Sequence, residues 1–140
     1  MTFEQLNLDQ NIIQALHTLG YENPLPVQEQ VIPNILSGKD CIVKSRTGSG
    51  KTASFAIPII QNLEIDERSP QALVLTPTRE LALQIQQDFD RIGTFKKIKT
   101  LPIFGKQPFK FQKEDLKQRC HVVIGTPGRV LDHLQQETRG

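Results

Sequence analysis

A short glycine-containing run between two apolar segments constrains the fold of this chain more than any other feature. The run reads Ser45-Arg46-Thr47-Gly48-Ser49-Gly50-Lys51-Thr52, after the apolar residues 41–43 and before an apolar stretch that begins at Ala53. A buried strand, a tight turn and a helix that opens on Lys-Thr together predict a phosphate-binding P-loop.

The residue types in this run suit a bound polyphosphate. Gly48 and Gly50 permit unusual backbone angles and leave no side chain between the amides and a phosphate, and a helix N-terminus attracts anions. Lys51 supplies a positive charge for the terminal phosphates, and Thr52 supplies a hydroxyl for Mg²⁺. The strict pattern has glycine where this chain has Ser45. The alternative is a plain turn before a helix, but a lysine at a helix start, where the dipole disfavours a cation, favours the nucleotide site.

Length and composition place the chain among ordinary globular proteins. Its 140 residues fit one domain, and no apolar run approaches the roughly 20 residues of a membrane span. The N-terminal residues lack the basic and apolar regions of a signal peptide. Cys41 and Cys120 each lie in or beside a predicted strand, so we interpret them as small core residues and not as a disulfide or a metal pair. A reducing cytoplasm is the expected location.

Charge is distributed unevenly along the chain, although the net charge is only +2. Residues 1–90 carry 6 Lys/Arg and 11 Asp/Glu, whereas residues 91–140 carry 11 Lys/Arg and 4 Asp/Glu. This asymmetry is typical either of a polyanion-binding face or of a solvated lysine face, and charge alone does not choose between them. The basic stretch consists of Lys96, Lys97, Lys99, Lys106, Lys110, Lys113, Lys117 and Arg119.

Short apolar segments alternate with helical patterns, which predicts an α/β fold with a parallel sheet covered by helices on both faces. Strands are expected at 41–44, 72–75, 98–103 and 122–124. Helices are expected at 9–19, 28–37, 51–62, 79–91, 109–118 and 129–136. Ligands of such sheets bind at the carboxyl ends of the strands, and each distinctive loop of this chain follows a strand end.

Several loop motifs occur in a fixed order along the chain: Gly20 to Gln28, the P-loop, Pro77-Thr78-Arg79-Glu80-Leu81-Ala82, and Thr126-Pro127-Gly128-Arg129. Together they resemble the first motor domain of a DEAD-box RNA helicase, a RecA-like α/β fold. The resemblance covers essentially the whole chain. It implies that residues 1–140 form a partial helicase ATP-binding domain, in which residues 1–38 are the adenine-recognition (Q motif) region.

The Q motif resemblance implies how the base of ATP is bound. Gln28 would form paired hydrogen bonds with adenine, because an amide offers the donor and the acceptor that match adenine N7 and N6. Phe3 would stack on the base, and Tyr21 belongs to the same site; without the motif, Phe3 would be interpreted as a core or terminal anchor. Leu25 stands where the family usually has Thr or Ser. A hydroxyl there would form a capping box with Gln28, and leucine cannot cap.

The resemblance also assigns the phosphate end of the nucleotide. In this family the first position of the P-loop is usually alanine, so Ser45 is a mild variation. Lys51 and Thr52 would act in catalysis, with Thr52 as the Mg²⁺ ligand. The implied ATP-binding residues of this loop are Ser45, Arg46, Thr47, Gly48, Ser49, Gly50, Lys51, Thr52 and Ala53.

The two later motifs contact the RNA backbone in the family. Thr78 can cap its helix and offer its hydroxyl and amide to a phosphate. Arg79 would bind an RNA phosphate, or it would stabilise the loop by pairing with a carboxylate. Arg129 and the backbone amides of its loop would bind successive phosphates. The implied RNA-binding residues are Pro77, Thr78, Arg79, Gly105, Lys106, Thr126, Pro127, Gly128 and Arg129.

Lys106 departs from the Gly-Gly that most relatives have after Phe104. Phe104-Gly105-Lys106 resembles a bacterial subgroup of DEAD-box helicases associated with ribosomal RNA and ribosome assembly, and the added cation suits a phosphate contact.

The sequence contains neither an Asp-Glu-Ala-Asp box nor a Ser-Ala-Thr motif. Phosphoryl transfer needs the metal, a positioned water and a charge clamp together, and in the family the clamp comes from a second RecA-like domain. We therefore expect no ATP turnover by these 140 residues alone, although a longer parent would hydrolyse ATP. We also expect unpaired strand edges and exposed apolar faces, and hence dimerisation, element swapping or rearrangement of the sheet.

Two other functions remain open at this stage. A different P-loop enzyme, such as a small kinase or a GTPase, would be indicated by a preference for guanine. A non-catalytic RNA- or protein-binding module would be indicated by RNA binding without nucleotide.

Overall fold

The computed structural model describes residues 2–37, 51–105 and 119–135. The chain divides into two compact units, Met1–Leu63 with Arg91–Lys97, and Glu64–Asp90 with Ile98–Gly140. None of the helices in the described ranges is long and apolar enough to cross a bilayer. The predicted strand at 41–44 and the predicted helix at 109–118 lie outside the described residues.

The first unit begins with a short 3-10 helix, Phe3–Leu6, and helix α1, Gln10–Thr18. Ile12, Ile13 and Leu16 of α1 are buried, as their helical spacing predicts. Gly20, at φ 83°, ends the helix, as predicted. The amide of Gly20 donates to the carbonyl of His17, and the next amide donates to that of Leu16, which is a Schellman motif.

Helices α2 and α3 complete the helical part of this unit and pack side by side. Helix α3, Lys51–Asn62, has the predicted bounds. Helix α2, Pro26–Leu36, begins two residues before the predicted start. Pro26 occupies the first helical position, where proline fits because its missing N–H would have no intrahelical acceptor.

The second unit contains three parallel strands, β1 (Ala72–Leu75), β2 (Thr100–Ile103) and β3 (Val122–Gly125), in the spatial order β1-β3-β2. Helix α4 (Arg79–Ile92) follows β1, and helix α5 (Pro127–Gln135) follows β3. All four residues of the central strand β3 are buried, so both of its faces are covered. The predicted parallel sheet is confirmed, with α5 beginning at Pro127 and not at 129 because proline again takes the first helical position.

One hydrophobic cluster joins α5 to β2 and β3, and it consists of Leu101, Ile103, Cys120, Val123 and Val130. Cys120 is a buried free thiol, as predicted, and burial raises its pKa to about 11. Cys41 lies outside the described residues.

Gly125, at the end of β3, lies in close contact with Val130 of α5 and with Ile103 of β2. A β-carbon at this position would be 2.6 Å from Val130 Cγ2 and 2.8 Å from the carbonyl oxygen of Ile103. The local packing therefore requires glycine at this position.

Strand β1 has one exposed face, although its sequence is fully apolar. Leu73 and Leu75, which share one face of the strand, are 50% and 54% exposed. This face of β1 is an exposed apolar face of the kind that the sequence analysis expects. Among the described strands β1 has β3 as its one neighbour and lies at the end of the sheet, so apolar sequence alone did not decide its environment.

Candidate nucleotide-binding and nucleic-acid-binding residues

Gln28 is held in a defined orientation at the start of α2. Its Oε1 atom accepts a hydrogen bond of 2.9 Å from the backbone N–H of Leu25, and its side chain is buried. The leucine side chain has no oxygen, so only this half of a capping box forms. An amide oxygen has two lone pairs and can still accept a bond from adenine N6. The adenine contact itself stays a prediction.

Phe3 lies in the 3-10 helix and is only 1% exposed. The ring therefore has no accessible face for a base in this structure. This burial corresponds to the anchor interpretation of Phe3, and stacking on adenine would require the ring to leave its present position.

Tyr21 lines an open depression of about 340 Å³, together with Glu4, His17, Gly20 and Glu22. His17 Nε2 lies 3.0 Å from Glu4 Oε1 at this rim. A hydrogen bond from its own backbone, with the nearby imidazole, holds the pKa of Glu4 below its usual value. The two carboxylates disfavour a phosphate here, so the depression suits an uncharged ring better than a polyphosphate.

Lys51, Thr52 and Ala53 form the first turn of α3, as the P-loop pattern predicts. Lys51 and Thr52 are half-buried, and the hydroxyl of Ser54 donates to the carbonyl of Lys51. The other P-loop residues, 45–50, lie outside the described residues. The described ranges hold no group of three or more His, Cys, Asp or Glu side chains arranged for a metal. Thr52 nevertheless fits Mg²⁺, because this ion often takes one or two protein ligands together with substrate phosphates.

Three loops meet at the carboxyl edge of the parallel sheet. The amide of Thr76, after β1, donates to the carbonyl of Gly125 at 2.9 Å. The amide of Thr126, after β3, donates to the carbonyl of Ile103 at 2.9 Å. These bonds continue the parallel ladder by one residue, so the loops after β1 and β3 begin beside the ends of the neighbouring strands.

Two of these loops end at helix N-termini. Thr78 Oγ1 accepts a bond of 3.2 Å from the amide of Leu81, so the predicted cap of α4 is confirmed. Thr126 stands in the corresponding place before α5, and its carbonyl accepts from the amide of Val130. Thr78, Pro127 and Gly128 are exposed. The first amides of a helix have no intrahelical acceptor, so both termini can receive an anion.

The arginines of these loops make contacts that the sequence did not predict. The guanidinium carbon of Arg79 lies 5.0 Å from the ring centroid of Phe104. Arg129 Nη2 donates to the carbonyl of Gly105 at 2.9 Å, and its Nε lies 3.8 Å from Asp132 Oδ2. The signal that sequence analysis missed is the position of Asp132, three residues after Arg129 on the same helix.

The basic stretch is not one uniform face. The side chain of Lys96 is only 10% exposed and its ammonium group bonds backbone carbonyls of α3. Arg119 bonds the carbonyl of Ile65 and lies 3.6 Å from Asp66. Lys97 and Lys99 are exposed, whereas Lys106, Lys110, Lys113 and Lys117 lie outside the described residues.

Comparison with known proteins gives a consistent result. A model of the DEAD/DEAH box helicase family matches residues 25–140. The chain is 54% identical to the ATP-dependent RNA helicase DbpA of Bacillus subtilis, over 97% of this chain and 28% of that protein. It is 42% identical to the DEAD-box ATP-dependent RNA helicase CshA of Geobacillus kaustophilus, over 98% of this chain and 29% of that protein. The chain thus spans less than a third of these relatives.

Solved structures show the same fold. A DEAD box protein from Methanococcus jannaschii superimposes with a TM-score of 0.92 at 41% identity, over 100% of this chain and 38% of that one. A hypothetical ATP-dependent RNA helicase from Sulfolobus tokodaii gives a TM-score of 0.83 at 36% identity, over 94% of this chain and 38% of that one. The predicted RecA-like α/β fold is confirmed.

Proposed function

Because the chain belongs to the DEAD/DEAH box helicase family, we propose that it binds adenine nucleotide and RNA backbone as part of an ATP-dependent RNA helicase. The observation that carries this proposal is that the loops after β1, β2 and β3 leave the same edge of the parallel sheet, and that two of them end at exposed helix N-termini. This arrangement suits successive phosphates of a single strand, with little reading of the bases.

The nucleotide would bind in the first unit. Lys51 and Thr52 open α3, where a polyphosphate and its Mg²⁺ are favoured by the helix N-terminus. Gln28 is pre-oriented for a base by the amide of Leu25. In a longer protein, ATP binding would close two domains on the RNA, and hydrolysis would release it.

The RNA is proposed to be ribosomal, since Phe104-Gly105-Lys106 resembles the bacterial ribosome-assembly subgroup. The proposed location is the cytoplasm. The 140 residues alone are proposed to bind ligands without turning over ATP, because they contain no Asp-Glu-Ala-Asp box. A phosphate-release assay tests this point, and hydrolysis at a helicase-like rate that Lys51→Ala abolishes would contradict it.

Calorimetric titration with ADP and with GDP tests the nucleotide site. We expect heat with ADP, none with GDP, and loss of the ADP signal in Lys51→Ala. A preference for GDP would instead favour a different P-loop enzyme. A labelled single-stranded RNA and the same sequence as DNA, titrated without nucleotide, test the RNA-binding surface; equal affinity for both would argue against contacts to the 2′-hydroxyl.

A further inference from the structure

We propose that Arg129, oriented by Asp132, is a positioning residue that holds the turn at Gly105, and that it does not itself bind an RNA phosphate. Arg79 secures the adjacent residue, Phe104, through a contact with its ring. This inference rests on the proposed RNA-binding function, and it assigns the phosphate contacts to the hydroxyl and amide groups of the three loops.

The contacts of Arg129 are directed into the protein. Its guanidinium group bonds the carbonyl of Gly105 through Nη2 and faces Asp132 through Nε, and its side chain is 14% exposed. The planar fork of arginine can engage a carbonyl and a carboxylate at once. A hydrogen bond from a charged donor is about twice as strong as a neutral one. Transfer of this group to a phosphate would remove the bond that holds Gly105.

Arg79 and Phe104 form the second restraint on the same turn. Phe104 is buried, so the ring gives a fixed surface for the guanidinium group above it. A cation over an aromatic face is attracted by the ring quadrupole. Two arginines from the first turns of two different helices, α4 and α5, therefore contact adjacent residues of the loop after β2.

The turn is coupled to the groups that would receive phosphate. Residue 103, immediately before it, accepts the hydrogen bond of the Thr126 amide. Thr126 in turn precedes the exposed N-terminus of α5. Release of the turn would thus displace that terminus, and RNA affinity would fall without the loss of a direct ionic contact.

The salt dependence of RNA binding separates the two roles. Each phosphate neutralised on a single strand contributes about 0.7 to the slope of log affinity against log salt. We expect Arg129→Met to lower affinity about tenfold with the parent slope retained. Asp132→Asn should also lower affinity, although it removes a negative charge. A slope reduced by about 0.7 in Arg129→Met, with parental affinity in Arg129→Lys, would overturn the proposal.

Hydrogen exchange without RNA gives an independent readout. We expect faster amide exchange across residues 100–105 and at Thr126 in Arg129→Met. Arg91→Met, which removes the charge of an exposed arginine of α4, is the matched control and should exchange like the parent. Unchanged exchange in Arg129→Met overturns the positioning role. A parent that binds no RNA at low salt would refute the proposed function, while the exchange result would still decide the role of Arg129.

Discussion

The ammonium group of Lys96 lies 2.6 Å from the carbonyl oxygen of Ile60 and 3.0 Å from that of Gln61. These carbonyls belong to the last turn of α3, where the usual helical donors run out. That of Ile60 also accepts from the amide of Leu63 at 3.2 Å, and Lys96 adds a charged donor to both. Lys96 therefore caps the C-terminus of α3, the helix that begins at Lys51. A cation at a helix C-terminus is also favoured by the helix dipole.

Replacement of Lys96 by methionine should lower the free energy of unfolding by about 1–3 kcal/mol, because two carbonyls of the last turn of α3 lose a charged donor. Urea denaturation followed by circular dichroism measures this. Lys97→Met, at an exposed neighbour, should change stability by no more than about 0.5 kcal/mol. Equal effects of the two substitutions would show that Lys96 is not a cap.

His121 should be required for the stability of the second unit. Its Nδ1 atom accepts from the amide of Lys99, and its Nε2 atom donates to the carbonyl of Ile65, both at 2.9 Å. These partners fix the neutral tautomer with its proton on Nε2, and the ring is buried. His121→Leu leaves the Lys99 amide without its acceptor and removes one of the two donors to the Ile65 carbonyl, the other being Arg119. It should cost about 1–3 kcal/mol in a urea titration.

The exposed His17 offers a matched control for that substitution, because its ion pair with Glu4 lies at the surface. His17→Leu should cost less than about 1 kcal/mol. If His121→Leu lowered the free energy of unfolding no more than His17→Leu does, the role assigned to the buried imidazole would be contradicted.

Asp90 should lower stability at neutral pH. Asp90 is exposed at the surface, but partial desolvation of its carboxyl raises the pKa above its usual value near 3.8, against the lowering effects of the Thr100 hydroxyl and of Lys99. The folded state therefore binds this proton more tightly than the unfolded state. The resulting loss of stability is absent at acid pH and develops as the pH rises from about 3.8 through the higher folded pKa.

Asp90→Asn removes this loss while the side chain keeps an acceptor for Thr100. Urea titrations between pH 3 and pH 7 should show the variant gaining stability over the parent as the pH rises. Glu67→Gln, at an exposed acid of the same unit, controls for the change in net charge. A difference between Asp90→Asn and the parent that is constant with pH would refute the assignment.

Leu73 and Leu75 should drive self-association of the chain. Both side chains are about half exposed on a strand at the end of the described sheet, and such apolar edges favour pairing. Sedimentation velocity of the parent should show a species larger than a monomer that Leu73→Thr with Leu75→Thr removes. Leu131→Thr, at an equally exposed leucine of α5, is the control; a monomeric parent at high concentration would contradict the prediction.

Much of the fold could be predicted because it depends on local patterns. The strand at 72–75 and the helix at 51–62 have the predicted bounds. The predicted starts of α2 and α5 are each two residues too late. Proline usually indicates a loop, but Pro26 and Pro127 occupy the first helical position, where proline is favoured. The exposure of Leu73 depends on which elements pack against β1, and the apolar sequence of the strand does not specify them.

The candidate site likewise combines local features, which the sequence predicts, with contacts that depend on the fold. The cap formed by Thr78 is local and could be predicted from its position before a helix. The bond from Arg129 to Gly105 joins residues 24 positions apart, and it depends on the placement of β2 beside β3. Phe3 could be predicted either as an anchor or as a base-stacking ring, and only the structure shows its burial.

Because Gly125 has no β-carbon, the segments that follow β2 and β3 can lie close together. With a methyl group there, Val130 and the carbonyl of Ile103 would both have to retreat by several tenths of an ångström. Arg129 is the residue before Val130, and Gly105 follows shortly after Ile103, so the bond between them would lengthen from both ends. The distance between Arg129 and Gly105 at this edge of the sheet therefore depends on the absence of one atom, for which the core has no room.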